Sequence, residues 1–175
     1  RITSFSEQTE GGIIKSINRI SNELNNKEKG YVLDLRSNPG GLLNQAVKVT
    51  DIFLDRGEIV STRGRNEADI QRYRASKGDK INGQPLVVLI NNGSASASEI
   101  VAGALQDHKR AIIVGTNSFG KGSVQTIIPF TKNNLEKSTT GIRLTTARYY
   151  TPSGKSIQAK GIEPDIIINQ GTFES

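Results

Sequence analysis

Residues 85–98 read Pro85-Leu86-Val87-Val88-Leu89-Ile90-Asn91-Asn92-Gly93-Ser94-Ala95-Ser96-Ala97-Ser98, which combines the signals of a strand, a turn and a helix start. The run up to Ile90 is apolar, and a short apolar run bounded by turn residues is typical of a buried strand. Asn91-Asn92-Gly93 breaks that run. Residues 98–108 then carry apolar side chains at helical spacing, so a helix is predicted to follow the loop.

Helix and strand alternate on both sides of this stretch. Isoleucine and leucine recur at helical spacing in residues 11–26, and residues 42–53 show a second helical pattern. Tyr31–Leu35 and Ala111–Val114 are further short apolar runs, which predict two more buried strands. This alternation is typical of an α/β domain.

Beyond Val124 the pattern changes to one of strands. Three segments rich in β-branched residues are Val124–Ile128, Gly141–Tyr150 and Ile166–Ile168. Residues 61–84 are polar and charged, and they predict an exposed excursion or a hairpin that covers the site. The predicted fold class is therefore α/β, with a core of alternating strands and helices and a β-rich C-terminal part.

The composition is that of a single folded domain. The chain has 175 residues, 34% of them hydrophobic, with 18 Gly and 5 Pro. No apolar run approaches the roughly 18 residues of a membrane span. The formal net charge is +6, but basic and acidic residues alternate, and no basic run is interleaved with aromatic residues. We therefore expect a solvated surface, with neither a nucleic-acid site nor a membrane span.

The chain contains no Cys and one His, His108. The lack of Cys excludes a disulfide scaffold, a thiolate zinc site and a cysteine nucleophile. A single His leaves little from which to build a transition-metal site, so no metal is expected. His108 falls at the end of the predicted helix 98–108, about three turns from the preceding serines and beyond hydrogen-bond reach. A Ser-His-Asp triad is therefore disfavoured.

The segment Gly93–Glu99 places serines where a buried strand turns into a helix. A serine on such a turn lies beside helix-start N–H groups, which stabilise a negative oxygen. A nucleophile elbow has this strand-to-helix arrangement, although its G-x-S-x-G pattern is absent here. The alternative is structural, because Ser96-Ala97-Ser98-Glu99 also fits the S-x-x-E capping box. Ser94, Ser96 and Ser98 all remain open as the nucleophile on these grounds.

A serine nucleophile needs a base, and the remaining candidates are carboxylates and lysines. A lysine can serve if burial and its neighbours keep it neutral near neutral pH. Lys121 lies between Gly120 and Gly122, after Phe119 and before the β-branched run, and these surroundings favour a desolvated amine. An exposed turn lysine is the alternative.

The same residues suggest a rival function. Gly115–Lys121 matches the G-x-x-x-x-G-K pattern of a phosphate-binding loop and follows a predicted strand. Position 122 is Gly, however, where that motif needs Ser or Thr as the magnesium ligand. The motif's lysine should also open a helix, whereas Val124–Ile128 predicts a strand.

Several stretches, taken together and in order, resemble the C-terminal processing peptidases, also called tail-specific proteases. They are Gly30–Gly41, Gly93–Ala102, Asp107–Ala111, Gly115–Gln125, Thr145–Gly154 and Gly161–Asp165. The resemblance runs from Arg1 to about Ile168 of a chain interpreted as one peptidase core, residues 1–175. It implies a Ser-Lys dyad on a fold like that of the crotonase and Clp protease superfamily.

The resemblance also implies roles for particular residues. Ser96 corresponds to the nucleophile, Lys121 to the general base and Gln125 to the residue that orients the lysine. The oxyanion donors map to the backbone N–H of Ala97 and of Gly41, with Gly40 as the alternative. Residues that match supporting positions are Asp34, Arg36, Glu99 and Asp107.

The implied function is a serine endopeptidase that cleaves proteins near their C-terminus, acts on protein or peptide tails and needs no cofactor. A bacterial member is expected in the periplasm or cell envelope, and a plant member in the thylakoid lumen. The oligomeric state stays open, a homo-oligomer included. The competing hypothesis is a non-catalytic domain that uses the same fold as a peptide or partner scaffold.

Members of this family usually carry a PDZ domain just before the segment that begins near Arg1, and this chain contains none. The opening residues Arg1–Phe5 read as the interior of a strand. We therefore expect the chain to be a fragment of a longer protein.

Overall fold

The computed structural model describes residues 1–66, 69–129 and 141–169. In these ranges the chain forms two four-stranded sheets and three α-helices. The elements are α1 Thr9–Glu23, β1 Tyr31–Asp34, α2 Leu43–Asp51, β2 Glu58–Arg63, β3 Gln71–Arg74, β4 Leu86–Ile90, α3 Ala97–Asp107, β5 Ile112–Gly115, β6 Ser123–Pro129, β7 Gly141–Tyr150 and β8 Ile166–Ile167. No helix in this part of the chain is long and apolar enough to cross a membrane.

The first sheet is parallel and has the strand order β1-β4-β5-β8. Its strands are the short apolar runs of the sequence, and Val88, Ile90 and Ile113 are fully buried on the face that packs on the core. On the other face Val32 and Ile112 are 63% and 50% exposed. Because parallel strands end at the same edge of a sheet, the loops that follow β1, β4 and β5 emerge side by side.

The second sheet is antiparallel and has the order β3-β2-β7-β6. Of the two interpretations of residues 61–84, the structure supports the hairpin, since β2 pairs with β3. The end of β2 is not exposed, however. Ser61 and Thr62 are buried, because β7 pairs with β2 along its other edge and α3 packs against it.

Helix α3 is the centre of the domain. Every residue from Ala97 to Leu105 is buried, as expected for a helix whose residues there, apart from Glu99, are apolar or small on all sides. Gly103 permits a close approach, because a Cβ there would lie 2.9 Å from the side chains of Thr151 and Ile162. The residue that precedes this helix is therefore attached to an element that is buried from Ala97 to Leu105.

Candidate active site

Three loops meet at the carboxyl edge of the parallel sheet, after β1, β4 and β5. They are hydrogen-bonded to one another through their backbones. The N–H of Ala95 donates to the carbonyl of Asn38 at 2.9 Å, and the N–H of Phe119 donates to the carbonyl of Ser94 at 2.9 Å. The edge therefore brings together segments that are distant in the sequence, as is common for sites in α/β proteins.

The three candidate serines have different surroundings. Ser94 is fully buried, and its Oγ donates to the carbonyl of Leu35 at 2.8 Å. Ser98 is also fully buried, and its Oγ donates to the carbonyl of Asn38 at 3.0 Å. Ser96 alone of the three is partly exposed. Ser94 and Ser98 thus tie the loops together, and Ser96 is the one of the three that is open to solvent.

The backbone at Ser96 makes the sharp turn that the sequence predicts. Its φ is 55° and its ψ is −112°, outside the regions that a residue with a side chain ordinarily adopts. Such a conformation costs about 1–3 kcal/mol and persists only where the surrounding structure enforces it. Gly40 lies directly against this turn, since a Cβ there would be 2.8 Å from the Ser96 Cβ.

Glu99 is fully buried and accepts four hydrogen bonds. Its Oε1 accepts from the Ser118 hydroxyl at 2.6 Å and from the Gly120 N–H at 2.6 Å. Its Oε2 accepts from the Ser96 N–H at 2.7 Å and from the Lys121 N–H at 2.9 Å. All four partners donate, which matches a carboxylate that offers only acceptors. The capping box is thus present, but its glutamate also holds the lysine loop.

The same oxygen of Glu99, Oε2, accepts from the backbone N–H of Ser96 and of Lys121. The distance between these two nitrogens therefore cannot exceed the sum of the two hydrogen-bond lengths. The structure therefore brings Ser96 and Lys121 together. The sequence marked Glu99 only as a cap and a supporting position. Nothing in its local pattern indicated the contact with Lys121, because an ordinary helix cap has the same S-x-x-E spacing.

The side chain of Lys121 is exposed, so the prediction of a desolvated amine is wrong for this chain. The flanking glycines do not enclose the amine. They allow residues 157–161 to lie on the loop backbone, and a Cβ on Gly122 would collide with the backbone nitrogen of Gln158. The phosphate-loop interpretation is also wrong, because the strand β6 follows the lysine where that motif requires a helix.

The backbone N–H groups near Ser96 differ in whether they have a hydrogen-bond acceptor. The Gly40 N–H donates to Asn38 Oδ1 at 2.9 Å. The N–H groups of Gly41 and Ala97 have no acceptor among the residues that the structure describes. Gln125 lies exposed on β6, four residues beyond Lys121.

Asp34 and Arg36 form a bidentate pair where β1 ends, with two contacts of 2.9 Å. The hydrogen bond from the Arg36 side chain is the main reason that the pKa of Asp34 lies below its ordinary value, and it outweighs the opposing effect of burial. The Asp34 carboxylate also accepts from the Arg36 N–H at 3.1 Å. The pair therefore fixes the start of the loop that leads to Gly41.

Asp107 and His108 lie at the other end of α3. The Asp107 carboxylate accepts from the Ser153 N–H at 2.9 Å, and His108 Nε2 is 2.7 Å from the carbonyl oxygen of Glu58. His108 is the C-cap residue of α3, as the sequence predicts. Neither side chain is among the contacts of Ser96. A cavity of about 1340 Å³ opens beside this far half of the helix, lined in part by Asp107, and not at Ser96.

Replacement of Asp34 by Asn is expected to lower the free energy of unfolding by about 1 kcal/mol near neutral pH, a modest amount because Arg36 is partly exposed to solvent. The folded-state pKa of Asp34 is depressed, so its contribution is present above the unfolded-state pKa and is lost as the pH falls through the folded-state value. Urea unfolding of both proteins at about pH 7 and about pH 3 tests this. A stability difference that stays constant across this range would contradict it.

No group of three or more His, Cys, Asp or Glu side chains that could hold a metal occurs within residues 1–66, 69–129 and 141–169.

A family model described as peptidase family S41 matches residues 1–168. The chain belongs to peptidase family S41. This confirms the resemblance drawn from the sequence motifs.

Curated S41 relatives match nearly the whole chain. A carboxy-terminal-processing protease of Bartonella bacilliformis is 59% identical over 171 residues, which is 97% of this chain and 38% of the relative. The carboxy-terminal processing protease CtpA of Bacillus subtilis is 38% identical over 95% of this chain and 34% of its own length. The chain thus spans well under half of the curated relatives that it matches.

Solved structures confirm the predicted fold class. A photosystem II D1 C-terminal processing protease has a TM-score of 0.85 and 36% identity, over 97% of this chain and 41% of that one. Mature CPAF has a TM-score of 0.73 with 17% identity, over 95% of this chain and 45% of that one, and supports the fold alone.

Proposed function

We propose that this chain is the catalytic core of a serine endopeptidase in which Ser96 is the nucleophile and Lys121 the general base. The observation that carries the proposal is the single oxygen of Glu99 that accepts from the backbone N–H of both residues. A nucleophile and its base must lie within hydrogen-bond reach in the reacting complex. The shared oxygen sets the two backbones close enough for the side chains to meet.

The reaction begins with neutral Lys121 taking the proton of the Ser96 hydroxyl. The Oγ of Ser96 attacks the peptide carbonyl and forms a tetrahedral intermediate. Lys121 returns the proton to the leaving amine, and the C–N bond breaks to give an ester with Ser96. Lys121 then removes a proton from water, and the oxygen of that water attacks the ester carbonyl. The proton passes from Lys121 to the Ser96 Oγ as the ester bond breaks, which releases the new C-terminus and restores both residues. The family resemblance assigns Gln125 to the orientation of the lysine amine.

The oxyanion of the intermediate is assigned to the N–H groups of Ala97 and Gly41. Both N–H groups lack an acceptor among the described residues, whereas the Gly40 N–H is already bound to Asn38. This difference favours Gly41 over Gly40 as the second donor. Two preorganised donors of this kind contribute a few kcal/mol to the stabilisation of the transition state.

The exposure of Lys121 adds a requirement to this mechanism. The general base must be an unprotonated amine, and in the free protein the Lys121 side chain is open to solvent. A peptide lying across the loop would remove water from the amine and favour its neutral form. We therefore assign to the bound substrate a part in activating Lys121.

The substrate class follows from the relatives rather than from the geometry. The S41 relatives named above are carboxy-terminal processing proteases, and we propose that this protein likewise cleaves polypeptides near their C-terminus. The same resemblance supports a location in a bacterial periplasm or cell envelope. Cell fractionation tests the location, and recovery with the cytosolic proteins would contradict it.

The chemistry is tested by treating the intact protein with a serine-reactive fluorophosphonate and locating the adduct by mass spectrometry. The expected adduct is on Ser96, because Ser94 and Ser98 are buried and hydrogen-bonded. In parallel, the products of a long unstructured peptide are expected to arise from cuts near its C-terminus. A peptidase whose adduct lies on another residue, or a protein with no hydrolysis, would contradict the proposal. The second result would instead support a binding scaffold.

A further inference from the structure

The segment Ile157–Ile162, called the strap here, lies against the backbone of the lysine loop. The Ala159 N–H donates to the Gly120 carbonyl at 2.9 Å. Ser118 and Ile162 exchange two bonds, one from the Ser118 N–H at 3.1 Å and one to the Ser118 hydroxyl at 2.6 Å. Ile157 and Ile162 are both buried, so the strap is anchored in the core at each end.

The strap and the loop are in closer contact than side chains would permit. A Cβ on Gly122 would collide with Gln158, and one on Gly120 would lie 3.1 Å from the backbone nitrogen of Gly161. Ala159 has a φ of 61°, which is costly for a residue with a side chain. The contacts with the loop hold the strap in this unfavourable conformation.

Gln158 completes the contact between strap and loop. Its Oε1 accepts from the buried Gly122 N–H at 3.1 Å. The N–H groups of Gly120 and Lys121 donate to Glu99, as described above. The backbone N–H groups of residues 120–122 therefore all donate to two side chains, that of Glu99 on α3 and that of Gln158 on the strap.

We propose that Gln158 is a positioning residue for Lys121, an inference that rests on the proposed function. It fixes the main chain on one side of the lysine while Glu99 fixes the other. Its action differs from that assigned to Gln125, which concerns the amine. Together the two side chains tie the backbone of residues 120–122 to α3 and to the strap.

Loss of the Gln158 oxygen would leave the Gly122 N–H buried without an acceptor, and the loop would shift to satisfy it. A small displacement of a catalytic group is costly to the reaction and leaves distant substrate contacts intact. Gln158→Ala in the intact protein is therefore expected to lower kcat by about 10-fold or more with KM unchanged.

Gln158→Glu provides the conservative variant. It keeps an acceptor for the Gly122 N–H, so the kcat at alkaline pH is expected to match that of the wild type. The added negative charge near Lys121 favours the protonated lysine, so the acid limb of the kcat/KM profile should move to higher pH. The kcat at alkaline pH decides the role, because Gln158→Ala removes the acceptor of the Gly122 N–H and Gln158→Glu keeps one. A Gln158→Glu variant that is as slow there as Gln158→Ala would overturn the proposal.

Gln106→Ala is the matched control. The Gln106 amide donates to the carbonyl of Glu163 and to Asp165 Oδ1, both at 2.9 Å, and so holds the chain just after the strap. It lies in the last turn of α3, away from Ser96, and its loss is expected to change kcat by less than about two-fold. Equal losses in Gln158→Ala and Gln106→Ala would overturn the proposal, and so would a Gln158→Ala variant with unchanged kcat.

A second measurement is independent of activity. In a Ser96→Ala background, hydrogen exchange of the amides in residues 120–122 is expected to be faster when Gln158 is replaced by Ala and unchanged when Gln106 is. Unchanged exchange in the Gln158 variant would overturn the inference. Full hydrolysis by Ser96→Ala would instead contradict the proposed function, and the exchange result would still decide the role of Gln158.

Discussion

Replacement of either Ser96 or Lys121 by Ala is expected to lower kcat/KM for peptide hydrolysis by about 10³-fold or more. Each substitution removes one half of a unit that acts only when complete. The Ser96→Ala, Lys121→Ala double variant is therefore expected to be no slower than the slower single variant. Steady-state hydrolysis of one fluorogenic peptide by the intact protein and its three variants measures both the losses and their lack of additivity.

Matched substitutions separate catalysis from general damage to the fold. Ser16→Ala and Lys155→Ala remove exposed side chains of the same two types, and His108→Ala removes the only histidine. Activity of the Ser16 and Lys155 variants is expected to stay within about two-fold of the wild type. A fully active Ser96→Ala or Lys121→Ala variant would refute the dyad. Loss of hydrolysis in His108→Ala alone would revive a histidine base.

Glu99→Gln is expected to have the second largest effect on hydrolysis. It replaces one carboxylate oxygen by an NH₂ group, and the four groups around the carboxylate are all hydrogen-bond donors. Whichever way the amide is turned, its NH₂ group faces two N–H or O–H groups that have lost their acceptor. We expect a loss of about 2 kcal/mol in the free energy of unfolding and a fall of about 10²-fold in kcat/KM.

Urea unfolding and hydrolysis at a temperature where the variant remains folded measure the two effects separately. Glu163→Gln is the control, since that glutamate is exposed and its side chain lies away from the dyad. The bridging role of Glu99 would be disproved by a folded Glu99→Gln variant that hydrolyses peptide at the wild-type rate.

The elements set by local patterns could be predicted from the sequence. The apolar run before Asn91 became β4, the stripe in residues 98–108 became α3, and Gly141–Tyr150 matches β7 at both ends. Each depends on the burial of neighbouring residues, which the order of apolar and polar side chains records. The motif order similarly identified the family before any contact was known.

The contacts that build the site could not be predicted in the same way. Glu99 has the spacing of an ordinary cap, and Gln158 belongs to no pattern, because the groups that they hold lie on other segments of the chain. For a related reason the sequence favoured an enclosed Lys121 and left the exposed lysine as the alternative. The apolar sequence neighbours of Lys121 do not enclose its side chain in space. The glycines beside it instead allow the strap to lie against the loop backbone.

The distance along the chain between these partners has a consequence for when the proposed dyad assembles. Glu99 holds a residue 22 positions away, and Gln158 holds one 36 positions away. Contacts of such separation form late in folding, after the local helices and turns. A chain still under synthesis therefore carries Ser96 before Lys121 is held beside it. With the dyad proposed here, the completion of folding is itself the step that switches proteolysis on.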